Sequence, residues 1–289
     1  MKPFREPVRF ISLQEEVAGV LFLPPEPAPA PVLVVCHGAG EFKENHFEMC
    51  ELLAGRGVAC LAIDMHGHGE SGGKRFHVSM TEWVADIRAA IDFLARHPRV
   101  DPNRIAAFGL SSGGTAVLEA AVVDRRLRVL VTLDPTVYDS LPLFTGMFLR
   151  SLDFLGRVKK RFTNDDLRVS LLRFGGKSRM VSDPEIERRL RADARAREAF
   201  EAFPFPGGSE AFFVDTIERV DSITAPTLIL WGAEDKLDPP STGQRLFEAL
   251  RSRKSLNIIP GNGHAGHLDR NRSRIFALTF EWLSDNLCG

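Results

Sequence analysis

The stretch that most constrains this chain is Ile105-Ala106-Ala107-Phe108-Gly109-Leu110-Ser111-Ser112-Gly113-Gly114. An apolar run of strand character meets a G-x-S-x-G pattern, and Ser112–Val123 continues with helical composition. A turn this tight must hold Ser111 in a strained conformation, its hydroxyl pointing off the sheet edge. Glycines two residues to either side leave room for the strand and the helix to approach. The helix offers N–H groups without intrahelical partners and the positive end of its dipole, where negative charge can develop. By position Ser111, not Ser112, is the expected nucleophile. The bland alternative is a glycine-rich turn with an incidental serine.

The surroundings have the matching rhythm. Arg9–Leu13 and Val17–Leu23 read as a hairpin, closed by a proline run over residues 24–31 that forms a stiff connection rather than a strand. Val32–Cys36 is a compact apolar run, as expected of a strand buried on both faces. A helix is expected over Glu44–Arg56, a strand over Val58–Ile63 and a helix over Thr81–His97, with Val100–Asn103 as a turn. Ile105–Leu110 and Val129–Leu133 are strands. The ending is regular: strand Thr227–Trp231, helix Thr242–Arg251, strand Leu256–Ile259, helix Ser273–Leu287. Strands alternating with helices predict an α/β architecture, a mostly parallel central sheet with helices on both faces.

The alternation stops after Asp134-Pro135 and resumes at Pro226. The interval between reads as an inserted helical cap, giving a core of residues 1–135 and 225–289 and a cap of 136–224. It holds 10 of the 21 Phe residues, which predicts a small satellite core with some rings roofing a pocket. Its basic cluster, Arg157, Lys159, Lys160 and Arg161, reads as a solvated helix end.

A serine hydroxyl needs a base, and the base needs an orienting acid. Pro260-Gly261-Asn262-Gly263-His264 follows the last strand, and its glycines would let a loop carry His264 over the sheet edge. Leu228–Trp231 followed by Gly232-Ala233-Glu234-Asp235 places a carboxylate four residues past a strand end. The expected catalytic set is therefore Ser111, Asp235 and His264, with His267 as the weaker base candidate and Asp134 and Asp238 as runners-up for the acid. Leu33-Val34-Val35-Cys36-His37-Gly38-Ala39-Gly40 supplies the third part: the N–H groups of Ala39 and Ser112 would form an oxyanion hole. Backbone donors preorganised in this way are worth about 2.7–4 kcal/mol each. His37 is expected to brace that loop, and Cys36 to be a buried strand residue.

These residues resemble the α/β-hydrolase superfamily over nearly the whole chain. Four motifs match in order: His37–Gly40, Asp64-Met65-His66-Gly67-His68-Gly69-Glu70-Ser71, Gly109–Gly113, and the Asp235 and His264 segments. Within it the chain is similar to the serine aminopeptidase/monoglyceride-lipase-like and dienelactone-hydrolase-like esterase branches. Dienelactone hydrolases proper carry cysteine where this chain has Ser111, and epoxide hydrolases and haloalkane dehalogenases carry aspartate. The resemblance implies the α/β-hydrolase fold, a helical cap where the interval was read, and a serine esterase.

Other chemistries fit less well. Gly67-His68-Gly69-Glu70-Ser71-Gly72 matches a dinucleotide fingerprint, but Gly73-Lys74 prolongs the loop instead of opening a helix. Gly176-Lys177-Ser178 has the tail of a P-loop, with Leu171 where its first glycine belongs. His66-x-His68 and His264-x-x-His267 with Asp269 have metal-like spacing, but lie in loops the serine pattern already explains. No cofactor and no metal are expected. A net charge of -1 gives no pull toward nucleic acid. The longest stretch free of Asp, Glu, Lys and Arg is 14 residues, short of the ~18 of a membrane span. With no signal peptide at Met1–Phe10 and four scattered cysteines (Cys36, Cys50, Cys60, Cys288), the expected location is cytoplasmic. The expected partner is a small molecule, neither nucleic acid nor membrane, and the oligomeric state stays open, a homodimer included. The expected reaction is hydrolysis of a carboxylic ester with an apolar acyl or alcohol part. Thioester, amide or C–C cleavage and non-catalytic ligand binding are the alternatives.

Overall fold

The computed structural model describes residues 3–26, 28–171 and 180–287. Strands β1 (Phe4–Ser12) and β2 (Glu15–Leu23) pair antiparallel. The hairpin begins earlier than Arg9 and turns on Leu13 and Gln14, both with positive φ (47° and 71°). Paired left-handed residues give a two-residue turn the twist of its flanking strands.

The chain then alternates. It runs through β3 (Ala30–Cys36), α1 (Phe47–Ala54), β4 (Ala59–Ile63), α2 (Met80–Leu94), β5 (Val100–Leu110), α3 (Ser112–Val123) and β6 (Leu127–Leu133). After a long excursion come β9 (Thr227–Gly232), α7 (Pro240–Ala249), β10 (Lys254–Ile259) and α8 (Arg272–Leu287). The eight-stranded sheet has the order β1-β2-β4-β3-β5-β6-β9-β10. It is parallel from β4 to β10, with only β1 and β2 antiparallel. Every residue of β3 and β4 is buried. Successive side chains of β3 serve opposite layers: Val32 and Val34 pack with Trp83 and Ile87 of α2, Leu33 and Val35 with Met49 and Leu53 of α1 and Leu283 of α8. That two-sided burial explains the continuous apolar runs. Fully burying each such side chain contributes about 1.5–3 kcal/mol.

Two local expectations need correction. Val100–Asn103 is not a free turn but the start of β5, with Val100 paired to Ala30. Its turn chemistry survives as a register shift, where the Asp101 carboxylate accepts from Asn103 N–H at 2.9 Å. The helix expected from Glu44 begins as a 3-10 turn over Lys43–His46, and α1 proper starts at Phe47.

The excursion between β6 and β9 holds α4 (Leu143–Thr163), β7 (Leu167–Val169), α5 (Pro184–Ala192), α6 (Ala194–Glu201) and β8 (Phe203–Phe205). The strand pair β7–β8 was missed by an all-helical reading, because three-residue strands carry no periodicity. The charged stretch 184–200 forms two helices. Asp193 ends α5 and caps α6, accepting from Arg195 and Ala196 N–H. The satellite core consists of Leu149, Phe203 and Phe205 with Phe212 and Phe213 against it. Phe144, Phe148, Phe154 and Phe162 of α4 are instead exposed. Phe174 and Gly176-Lys177-Ser178 lie outside the described residues. Among the described residues no helix is long and apolar enough to cross a membrane.

Candidate active site

The parallel strands end along one edge, and the loops leaving β3, β5, β9 and β10 meet there. Ser111 stands between β5 and α3 at φ 50°, ψ −125°, a backbone conformation that an L residue adopts only at a cost of about 1–3 kcal/mol. Two glycines make this turn sterically feasible. A Cβ at Gly109 would lie 2.3 Å from the Gly113 carbonyl oxygen, and one at Gly113 would lie 2.3 Å from that of His37. Any side chain at either position would push strand, helix and the β3 loop apart.

The β3 loop passes directly against the serine: a Cβ on Gly38 would come within 3.2 Å of the Ser111 Cβ. Ala39 follows on this loop, and Ser112 N–H, the first of α3, has no carbonyl within its own helix to meet. The loop is held by two histidines. His37 Nδ1–H donates to the Gly38 carbonyl at 2.7 Å, while Nε2 accepts from Met65 N–H at 3.0 Å. His68 Nε2 accepts from Gly40 N–H at 3.3 Å, and its Nδ1–H donates to the His66 carbonyl. Both rings work as neutral imidazoles; burial pushes His68 down to about 3. The bracing role expected of His37 is visible, and His68 was the partner that sequence reading passed over.

Lys43 was missed as well. Its buried ammonium donates to Asp64 at 2.6 Å and to Glu70 at 2.8 Å, and Asp64 also accepts from the backbone N–H of Lys43 and Glu70. Burial opposes that ammonium charge, but the carboxylates outweigh it and raise the pKa. This network fastens the β3 loop to the end of β4. A lone lysine in an exposed-looking stretch gives no sequence signal for it.

Asp235 and His264 are brought together. His264 Nδ1 donates to Asp235 Oδ2 at 2.7 Å, and both residues are buried. The other Asp235 oxygen accepts from Leu237 and Asp238 N–H, which fixes the carboxylate. Their two loops can touch because β9 ends in Gly232, where a Cβ would lie 2.3 Å from the Gly263 carbonyl oxygen. Burial works against charge on His264, but Asp235 outweighs it, with Asp134 and Asp238 adding to the field, and the imidazole pKa is raised.

The runners-up stand elsewhere. Asp134 has one oxygen on Gly232 N–H at 2.7 Å, and burial and neighbouring Asp235 push its carboxyl well up. Asp238 accepts from Thr136 and Ser140 and so ties down the start of the excursion. His267 stacks on His46, ring centroids 4.3 Å apart, and burial pushes it down to about 3. The metal-like spacings do not converge: His66 pairs with Asp86, and Asp269 accepts from Gly263, Ser182 and Asp183 N–H.

Besides the Thr136 and Ser140 contacts on Asp238 and those of Ser182 and Asp183 on Asp269, the excursion meets this edge at Gly40 and Ala265. Phe200 and Ala199 lie against Gly40, and the Met180 carbonyl accepts from Ala265 N–H at 2.7 Å. A separate groove of about 930 Å³ lies between the His66–Ser79 loop and the excursion; Ser111, Asp235 and His264 are not part of its lining.

Against known proteins, the chain matches the family model of the serine aminopeptidases, S33, over residues 27–271. A monoacylglycerol lipase of Mycolicibacterium smegmatis is 24% identical over 272 residues, 91% of this chain and 91% of that protein. A thiohydrolase of Aspergillus aculeatus is 31% identical over 112 residues, 38% of this chain and 35% of its own length. Among solved structures, that of DcsB in complex with its substrate analogue superposes with a TM-score of 0.83 at 17% identity, covering 98% of this chain and all of that one. The likeness carries the α/β-hydrolase fold.

Proposed function

Because the chain belongs to the serine aminopeptidase S33 family and is an α/β-hydrolase enzyme, we propose that it cleaves a carboxylic ester through an acyl-enzyme on Ser111. The observation that carries this reading is the convergence of three loops on one sheet edge: strained Ser111, Gly38 against it, and the buried Asp235–His264 pair. His264, oriented through Nδ1, takes the Ser111 proton on Nε2 as the hydroxyl oxygen bonds the substrate carbonyl carbon. The negative charge that develops on the carbonyl oxygen is met by Ala39 and Ser112 N–H at the positive end of α3. As the tetrahedral intermediate collapses, His264 returns the proton to the departing alcohol. Water, deprotonated by the same imidazole, then releases the acid and regenerates Ser111.

The excursion acts as a cap over residues 136–224, with its Phe200 beside Gly40 supporting an apolar acyl or alcohol part. A thioester is the second reading, favoured by the partial similarity to a thiohydrolase; the same groups serve both. The test is intact-mass analysis after fluorophosphonate treatment, with turnover on matched ester and thioester panels. One adduct on the wild type and none on Ser111→Ala is expected, with a rate loss on the order of 10⁶-fold in that variant. An adduct that persists on Ser111→Ala would sink the assignment. Faster thioester turnover at matched acyl length would select the second reading.

A further inference from the structure

Beneath the β3 loop, Glu41, His46 and His267 come together from three separate stretches of chain. Glu41 follows Gly40, His46 ends the 3-10 turn before α1, and His267 lies three residues past His264. All three are buried, with ligand atoms within 4.8 Å of one another. We propose that Glu41, His46 and His267 bind one divalent transition-metal ion of the zinc class. The inference is independent of the reaction assigned to Ser111.

The argument starts from polar accounting. Both ring nitrogens of His46, both of His267 and Oε2 of Glu41 are shut off from solvent without a hydrogen-bond partner. Leaving one such group unsatisfied costs about 1–3 kcal/mol, and a single ion would take one atom from each residue, three of the five. The spacing says which kind. Each histidine Nε2 stands 3.7 Å from a Glu41 oxygen, too far for a hydrogen bond. Ligand atoms bound tetrahedrally at about 2.0–2.1 Å lie about 3.3–3.4 Å apart, so each histidine has only a few tenths of an ångström to move toward its Glu41 oxygen. The imidazoles are stacked within 9° of parallel. One ring must therefore tilt to bring both lone pairs onto a common ion.

Donor chemistry narrows the ion. Two imidazoles and one carboxylate suit zinc and its neighbours, whereas calcium and magnesium select oxygen ligands. The nearby acidic group of Glu44, Asp64 and Glu70 makes the contrast, because Lys43 already reaches all three as their cation. Lys43 is therefore committed away from Glu41. A bound ion would tie the loop that carries Ala39 to the loop that carries His264.

To test it, the full chain is stripped with EDTA, then titrated with zinc chloride by calorimetry, and bound metal is counted by mass spectrometry. One zinc per chain is expected. His46→Ala and His267→Ala, each checked for folding by circular dichroism, should bind at least about 100-fold more weakly. Cobalt(II) added to the stripped wild type should give the intense visible absorption of a tetrahedral site, a readout that needs no variant. No uptake by the wild type, an octahedral cobalt spectrum, or undiminished zinc binding in the two histidine variants would each overturn the proposal.

Discussion

In the sheet, β3 buries all seven of its residues, while α4, three times as long, leaves Leu143, Phe144, Met147, Phe154 and Phe162 exposed, Phe144 at 84% and Phe162 at 82%. The two regions also hold the active edge in different ways. Ser111, Asp235 and His264 are aimed by strand ends inside continuous packing. The excursion reaches that edge through side contacts: Phe200 and Ala199 on Gly40, Met180 on Ala265, Ser182 and Asp183 on Asp269, and Thr136 and Ser140 on Asp238. A site whose parts are loops on a rigid layer keeps its geometry when a tethered layer moves. Changes in the sheet-borne loops should therefore strike chemistry, and changes on the exposed face of α4 should leave both chemistry and stability alone.

After Ser111→Ala, the largest effect that would sharpen this contrast is at Asp235. Asp235→Asn should lower kcat about 10⁴-fold, by analogy of role with the orienting acid of serine proteases, without loss of folding. The pH profile carries a separate sign. In the proposed mechanism neutral His264 is the base, and its raised pKa delays that form, so the acid limb of kcat/KM should fall above the ordinary imidazole value of about 6.5. In Asp235→Asn the limb should move to lower pH. An unmoved limb would mean that another group is the base.

Next in size, Phe205→Ala should destabilise by about 3–5 kcal/mol, the cost of emptying a fully buried aromatic site, read from urea unfolding. A loss confined to the excursion would appear as a second transition, with labelling of Ser111 retained. A single cooperative transition would break the comparison, since the excursion would then share the stability of the sheet. The smallest effect belongs to Phe162→Ser on α4, expected within about 0.5 kcal/mol of the wild type. A larger loss would show that the exposed face is covered in solution.

Much of this was legible without coordinates, for a local reason. The G-x-S-x-G turn, the apolar runs of β3 and β5 and the glycines around His264 are each dictated by neighbours in sequence, and the alternation of strand and helix orders the loops along one edge. Asp235 was readable because it lies just past a strand end. Elements that depend on distant partners were not. The strands β7 and β8 are three residues each and exist because Leu167 finds Phe205. Val100–Asn103 has the composition of a turn and becomes strand because Ala30 lies beside Val100. Phe205 and Phe162 are both aromatic residues of the same interval, yet packing buries the first completely and leaves the second 82% exposed.

By itself, then, the sequence determined the fold class, the turn that strains Ser111 and the chain order of the site, since these follow from periodicity and from where glycine alone fits. Only the tertiary structure decided that His68 braces the β3 loop beside His37, that Lys43 ties that loop to Asp64, and that Glu41, His46 and His267 meet. Those pairings are made between residues up to 226 positions apart, between Glu41 and His267. No local preference encodes a contact that exists only after the sheet has been assembled.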